Sequence, residues 1–230
     1  MGGPLDRALR ALVASDASLG RMSRAIEARF AAVWNKAGAV DRGARLVALT
    51  EAADAEIETL RRVTVEPVPC QAGCNHCCAF QEIVVSGAEA ARIVAHVEQQ
   101  LNAAQRDAVC RSIAASGTTG ADRNTPCALL TDEGCSVYTS RPMPCRSYHS
   151  TSEPACRACR SGGAPYPTAA AQSFVTRAHL VGMVAIKVSR AYDHTGRYEI
   201  NALLRRIYAD PAKVARWAAG HHTEEPDLAK

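Results

Sequence analysis

Aromatic side chains are scarce, at 5% of the chain, although 47% of its residues are hydrophobic. Alanine supplies much of that apolar share. A β-sandwich would draw on many β-branched and aromatic residues, so this composition argues against one and favours helices with modest side chains. Long hydrophobic runs are missing too. Ala178 to Val188 comes nearest, but His179 and Lys187 interrupt it, and a spanning helix needs roughly 18 apolar residues. The first ten residues offer no basic stretch followed by an apolar one, so no signal peptide is expected and a cytoplasmic location is. Charge of one sign is lacking as well. The net charge is +4 over 230 residues, with no clustered basic face. Neither a nucleic-acid partner nor a membrane is expected, and a protein partner is left open without being identified. No Gly-rich phosphate loop, GxSxG element or HExxH helix is present, which leaves conventional nucleotide and hydrolase chemistry without support.

Cysteine, by contrast, is abundant, with ten residues. Four of them and one histidine crowd into Cys70-Gln71-Ala72-Gly73-Cys74-Asn75-His76-Cys77-Cys78. A stretch this short cannot bury a core around its thiols, which leaves disulfides or metal ligation. In a reducing compartment ligation is the better reading. Cys74 and Cys77 have the knuckle spacing that lets two sulfurs reach one centre. Cys77 and Cys78 are adjacent, and adjacent side chains tend to point different ways. Cys127, Cys135 and Cys145 follow in turn-rich settings and supply long-range ligands. The sulfurs of Cys74, Cys77, Cys127, Cys135 and Cys145 are expected to gather at one place. Cys110, among Val109 and Ile113, reads as a buried thiol. Cys156-x2-Cys159 is open to two uses, a second metal site or a redox pair, and lacks the strand-then-helix setting of a thioredoxin motif.

Taken in order, Cys70-x3-Cys74-x2-Cys77-Cys78 precedes Ile83-Val84-Val85-Ser86-x2-Glu89. Then come Pro126-Cys127-x-Leu129, Gly134-Cys135-Ser136-Val137-Tyr138 and Arg141-Pro142-x2-Cys145-Arg146. The series resembles the YkgJ-type cysteine-cluster family, the CxxCxxCC or zinc- or iron-chelating domain, from Cys70 to about Tyr148. Flagellin lysine N-methylases resemble that family too. The first spacing here is x3 where the family's label has x2. The resemblance implies metal chelation, with Cys70, Cys74, Cys77, Cys78, Cys127, Cys135 and Cys145 as the ligand set, and no settled reaction. A methylase would need an S-adenosylmethionine site, and none can be placed in the helices. The flanking helices and Cys156-x2-Cys159 lie outside the resemblance.

Four thiolates satisfy one tetrahedral zinc, and four also hold a [4Fe–4S] cluster. Because cysteines so outnumber histidines in these motifs, an iron–sulfur cluster is preferred, with zinc or mononuclear iron as the alternative. His76 and His149 are each open as a ligand or as an imidazole behind the ligands. Arg141 and Arg146 flank Cys145. They are candidate cofactor-binding residues that compensate thiolate charge or hold a carboxylate.

Around the cysteines, apolar periodicity predicts helices. One or two cover Leu5 to Ala37, with a break near Ser18-Leu19-Gly20. Another runs from Asp41 to Arg62. Ser86 and Glu89 form a capping-box pattern that opens a helix to about Gln100, and Asn102 to Ala115 is a further helix. Phe80 to Val85 reads as a short strand. Pro126 to Leu130 and Ser136 to Tyr138 read as the arms of a small hairpin around Gly134. Two prolines in three residues argue against a helix at Arg141 to Arg146. Gly117 to Thr125 is a loop, Ser161 to Pro167 a linker, Thr168 to Tyr192 and Tyr198 to Tyr208 helices. Asp210-Pro211 starts a last helix, and His221 to Lys230 is a tail. The expected fold is mainly α, with helices packed around a small irregular cysteine-rich metal centre and one short β-hairpin. Residues 1–64 form an N-terminal helical hairpin, 65–160 the metal-binding region and 161–230 the C-terminal helices, together one compact unit. The function read from this is metal binding in a structural, electron-transfer or metal-handling role. An iron-dependent enzyme that modifies a protein or small molecule is the alternative.

Overall fold

The computed structural model describes residues 4–37, 42–65, 67–71, 73–79, 83–117, 125–160, 173–192 and 196–221. In chain order the helices are α1 (Pro4–Ser15), α2 (Ala17–Lys36), α3 (Arg42–Val63), α4 (Gly87–Gln100), α5 (Ala103–Ala115), α6 (Met143–Ser147), α7 (Glu153–Arg160), α8 (Phe174–Tyr192), α9 (Ile200–Tyr208) and α10 (Pro211–Ala218). The strands are β1 (Val84–Ser86), β2 (Leu130–Thr131), β3 (Gly134–Cys135) and β4 (Arg197–Glu199), with short 3-10 turns at His76–Ala79 and Tyr138–Ser140. The fold is mainly α, as the composition predicts. Among the described residues no helix is long and apolar enough to cross a membrane. The expected linker Ser161–Pro167, the start of the helix from Thr168, most of the loop 117–125, the first residues of the strand at 80–82 and the tail beyond His221 lie outside the described residues.

The described residues form two compact units. The first holds α1, α2, α3, α6 and α8. Its core is one cluster that includes Ile26, Phe30 and Trp34 of α2, Leu49, Ala53 and Ile57 of α3, and Ala178, Val181 and Val188 of α8. These positions recur every three or four residues, so each helix turns one apolar stripe inward. The boundary between α1 and α2 falls at Asp16, earlier than the break expected near Gly20. Asp16 Oδ1 accepts the N–H groups of Ser18 and Leu19 at 2.8 and 3.0 Å. An N-cap that satisfies two orphan donors outweighs one glycine inside a helix.

The prolines of Arg141 to Arg146 do not prevent a helix there, contrary to expectation. Pro144 occupies the second position of α6 and Pro142 precedes it. Their missing N–H groups are ones a first helical turn leaves unpaired anyway. The helix is five residues long and packs on α8 in the same unit.

The second unit holds the remaining helices, the two small sheets and the 3-10 turns. β1 pairs antiparallel with β4, Val85 opposite Tyr198. The pairing was invisible in the sequence, where Tyr198 reads as the start of a helix. A three-residue strand is too short to show a period. Ser86 ends β1 and caps α4: its Oγ accepts the Glu89 N–H at 3.2 Å, and Glu89 Oε2 accepts the Ser86 N–H at 2.9 Å. β2 and β3 form the expected hairpin, with Gly134 at φ +109°. Its strands lie closer to the turn than expected: apart from Leu130 they fall between the two expected arms, and Ser136 to Tyr138, expected as the returning arm, leads instead into the 3-10 turn at Tyr138–Ser140. Asp210 caps α10 with Pro211 at its first position, and Trp217 is fully buried.

Gly182 of α8 lies close against Ser147 of α6. A Cβ on it would strike both Oγ and Cβ of Ser147. Cβ is fixed to the backbone, so relief requires the two helices to part. Gly182→Ala is expected to destabilise the first unit by about 1–3 kcal/mol. Urea denaturation should show a lowered midpoint, largely restored in the double variant Gly182→Ala, Ser147→Gly. An unchanged midpoint in the single variant would refute the close approach.

Candidate metal centre

The cysteine segment of the second unit is a chain of turns. Gly73 takes φ +88°, the Cys74 N–H donates to Gln71 O at 3.0 Å, and the Cys78 N–H donates to Asn75 O at 3.1 Å. Cys77 and Cys78 lie in the 3-10 turn that His76 opens. Cys78 is then joined to a distant part of the chain: its carbonyl accepts the Cys127 N–H at 2.8 Å.

Cys127 is held on both sides. The side chain of Asn201, fully buried on α9, accepts the Ala128 N–H at 2.9 Å. It donates to Pro126 O at 2.9 Å and to Gly117 O at 3.0 Å. Three of the hydrogen bonds an amide can form are thus spent on backbone, two of them on the peptides either side of Cys127 and one just past the end of α5. Leu130 N–H donates to Cys127 O at 3.0 Å, which turns the chain into β2. Across the hairpin, Leu130 stands opposite Cys135, and the Ser136 N–H donates to Leu129 O at 2.9 Å.

The two thiols at this hairpin share a local design. Each sulfur receives a backbone N–H from two residues on, Leu129 for Cys127 and Val137 for Cys135. Such N–H groups favour the thiolate. Burial opposes it and dominates. Cys127 is 7% exposed, and desolvation pushes its thiol far above the usual range, with Cys78, Cys135 and Glu199 adding to the rise. Burial likewise raises Cys135; Cys78 adds to it and Arg141 opposes it. Cys78, Cys127 and Cys135 therefore lie within electrostatic reach of one another. As the side chains are placed, no group of three or more Cys, His, Asp or Glu among the described residues is set to hold a metal ion.

The other candidates are distributed as follows. Cys70 and Cys74 are part-buried in the turn segment of the second unit. Cys145 and Arg146 are on α6, in the first unit. Arg146 is an ion-pair partner of Asp54 on α3, with its side chain only 8% exposed. Arg141 belongs to the second unit. Its guanidinium carbon lies 3.7 Å from the Tyr138 ring centroid, and its Nε donates to Tyr138 O at 3.1 Å. Cys156 is buried on α7, which also carries Cys159, so this C-x2-C pair sits on a helix that was not foreseen. Cys110, on α5, is part-buried, and burial followed by the charge of Glu98 raises its thiol. Among the nine cysteines whose side chains are described, none is in a disulfide.

Sequence reasoning missed the supports of the Cys135 arm. Arg92 on α4 donates to Thr139 O at 3.1 Å. His96 Nδ1 lies 3.0 Å from Ser140 Oγ, and the ring also bonds the Ser136 backbone. Burial holds the His96 imidazole below its usual range, so it serves as a neutral strut. Asn201 was missed too. An asparagine at the second residue of a helix carries no motif.

Residues 69–165 match the model of the CxxCxxCC family, described as "Putative zinc- or iron-chelating domain". No curated protein matches the chain, and no solved structure does. The domain's match supports a zinc- or iron-chelating cysteine cluster in this region.

Replacing Asn201 tests how Cys127 is positioned. Asn201→Ala leaves one buried N–H and two carbonyls without their partner, at a cost on the order of 3 kcal/mol. The Ala128 amide should exchange with solvent faster by a matching factor. Asn201→Asp should be nearly as harmful, since a carboxylate cannot donate to the two carbonyls. Unchanged exchange at Ala128 in both variants would exclude the clamp.

Proposed function

We propose that the zinc- or iron-chelating domain at residues 69–165 holds a metal centre built on the thiols of Cys78, Cys127 and Cys135. One observation carries this reading. Cys78 and Cys135 both act on the buried Cys127, and Cys78 also acts on Cys135. Three neutral thiols have little reason to be pinned together by backbone hydrogen bonds. Three thiolates have one, because they are soft anionic donors for zinc or iron. When bound, the metal supplies the positive charge that favours loss of the thiol protons.

The chain's own residues prepare for that charge. The N–H groups of Leu129 and Val137 stabilise developing charge on sulfur, and Arg141 offsets the negative charge near Cys135. Asn201 and the Cys78 carbonyl hold Cys127 in place. The first role of the centre is structural. Its thiols come from a 3-10 turn, the approach to a hairpin and the hairpin's return strand, which have little regular structure of their own. An iron–sulfur cluster is the second reading. Cys74 and Cys77 favour it, since they stand in the same short segment as Cys78 and a cluster takes four thiolates.

Anaerobic purification followed by metal analysis and visible absorption is the decisive experiment. About one zinc or iron per chain without colour supports the single ion; a brown protein absorbing in the violet supports the cluster. Cys127→Ser and Cys135→Ser should each remove most of the metal, while Cys110→Ser on α5 should not. Structural metal at thiolates is worth on the order of 10 kcal/mol. A chelator should therefore open residues 70–142 to protease before α2, α3 and α8 are cut. Apparent affinity should rise with pH, because binding displaces thiol protons. Full metal content in both serine variants, or equal protease protection with and without chelator, would overturn the reading.

A further inference from the structure

The first unit contains a cleft of about 410 Å³, lined by residues of α1, α2 and α8. α8 builds most of it. Leu180, Met183, Val184 and Lys187 succeed one another at steps of three, one and three residues and line the cleft together, which is one face of a helix. Ile186 and Arg190 extend the lining on the same helix. The face changes character along its length. It is apolar at Leu180, Met183 and Val184 and cationic at Lys187 and Arg190, and Leu180 and Arg190 are about 15 Å apart along the axis. Val13 of α1 adds to the apolar part. Val13, Met183 and Ile186 pack on the core from outside and remain half-buried.

The charge around the cleft is one-sided. No acidic residue lines it among the described residues, while Arg10 of α1 joins the two cations of α8. Glu27 of α2 pairs with Lys187 at 2.7 Å, but the lysine side chain is 66% exposed, and such surface pairs are weak. α1 carries two basic residues and one acidic, α2 four and one, and α8 three and none, whereas the whole chain has 27 and 23. The excess comes from distant stretches, so no single run of the sequence displays it.

A trough that is apolar at one end and cationic at the other complements an anionic head on an unbranched apolar tail. Its volume falls in the range of roughly 300–1,000 Å³ that small-molecule sites occupy. Nine residues line it, far fewer than the roughly 20–30 a side of a stable protein interface. We infer that this cleft binds a free fatty acid, with the tail against Leu180, Met183 and Val184 and the carboxylate toward Lys187 and Arg190. The site belongs to the first unit and is independent of the metal reading of Cys78, Cys127 and Cys135.

Equilibrium dialysis of the full chain with dodecanoate, kept below its micelle concentration, tests this. Binding should saturate at one molecule per chain. Decanoate and octanoate should bind about 4-fold more weakly for each methylene lost. Dodecyltrimethylammonium, with the same tail and a cationic head, should bind at least about 10-fold more weakly than dodecanoate. Lys187→Gln and Arg190→Gln should each weaken dodecanoate binding about 3- to 10-fold. Arg21→Gln, the same charge change on an exposed part of α2 outside the cleft, should leave it unaltered. Carbon-13 NMR of the methionine methyls needs no variant: the Met183 resonance should move on dodecanoate addition. Absence of saturable binding, an affinity independent of tail length, equal binding of the cationic amphiphile, full affinity in both glutamine variants of α8 or an unmoved Met183 methyl would overturn the inference. Binding to phosphatidylglycerol vesicles with none to free dodecanoate would overturn it too, and would assign these cations to a membrane surface.

Discussion

The second unit depends on a thiol placed where water cannot help it ionise. Cys127 is enclosed, and desolvation there outweighs the N–H that Leu129 points at its sulfur. The backbone nevertheless holds it from every side, by Cys78 before it in the chain, by Asn201 far after it and by the turn into β2. An apolar side chain of similar size would fill such a space without that investment of polar groups. Under the proposed reading a cation reverses the balance: the charge that burial penalises becomes the charge that binds. The same low dielectric that keeps the thiol protonated makes an ion pair inside it strong.

The sequence revealed the elements whose signals are local. The capping box of Ser86 and Glu89, the Asp210-Pro211 start of α10, the apolar stripes of α2, α3 and α8 and the hairpin around Gly134 all appear where a few neighbouring residues announce them. Nonlocal features stayed hidden. β1 overlaps the strand expected at Phe80 to Val85, but β4 and its pairing with β1 did not show. Pro144 stands in α6 because proline is harmless in a first turn, a distinction that composition alone does not make. At the site, the cysteine spacing was legible, and Cys78, Cys127 and Cys135 were among the candidates it offered. Asn201 and His96, which bond the chain around Cys127 and Cys135, were not, since nothing about their neighbours in the chain marks them.

Arg141 and Arg146 illustrate the limit of reading a motif as one object. Both flank Cys145 within six residues, and the sequence invites one role for the two. Arg146 turns to Asp54 and is an ion pair within the helical unit. Arg141 lies over Tyr138 and acts on Cys135 in the other unit. A planar guanidinium suits either task, as it pairs with carboxylate and stacks on an aromatic face. The surroundings, rather than the residue type, decide which.

The interleaving of Cys78, Cys127 and Asn201 has a consequence for how the protein is made. Synthesis delivers the thiols first and the amide that locks Cys127 well over a hundred residues after Cys78. β1 likewise waits for β4. Until α9 has emerged, the cysteine-rich stretch of a nascent chain has neither its clamp nor its second strand, and contacts this far apart form slowly. During that interval the thiols are open to solvent, to stray metals and to oxidants. The clamp on Cys127 and the partner of β1 thus both reach the cysteine-rich stretch late, with β4 and α9.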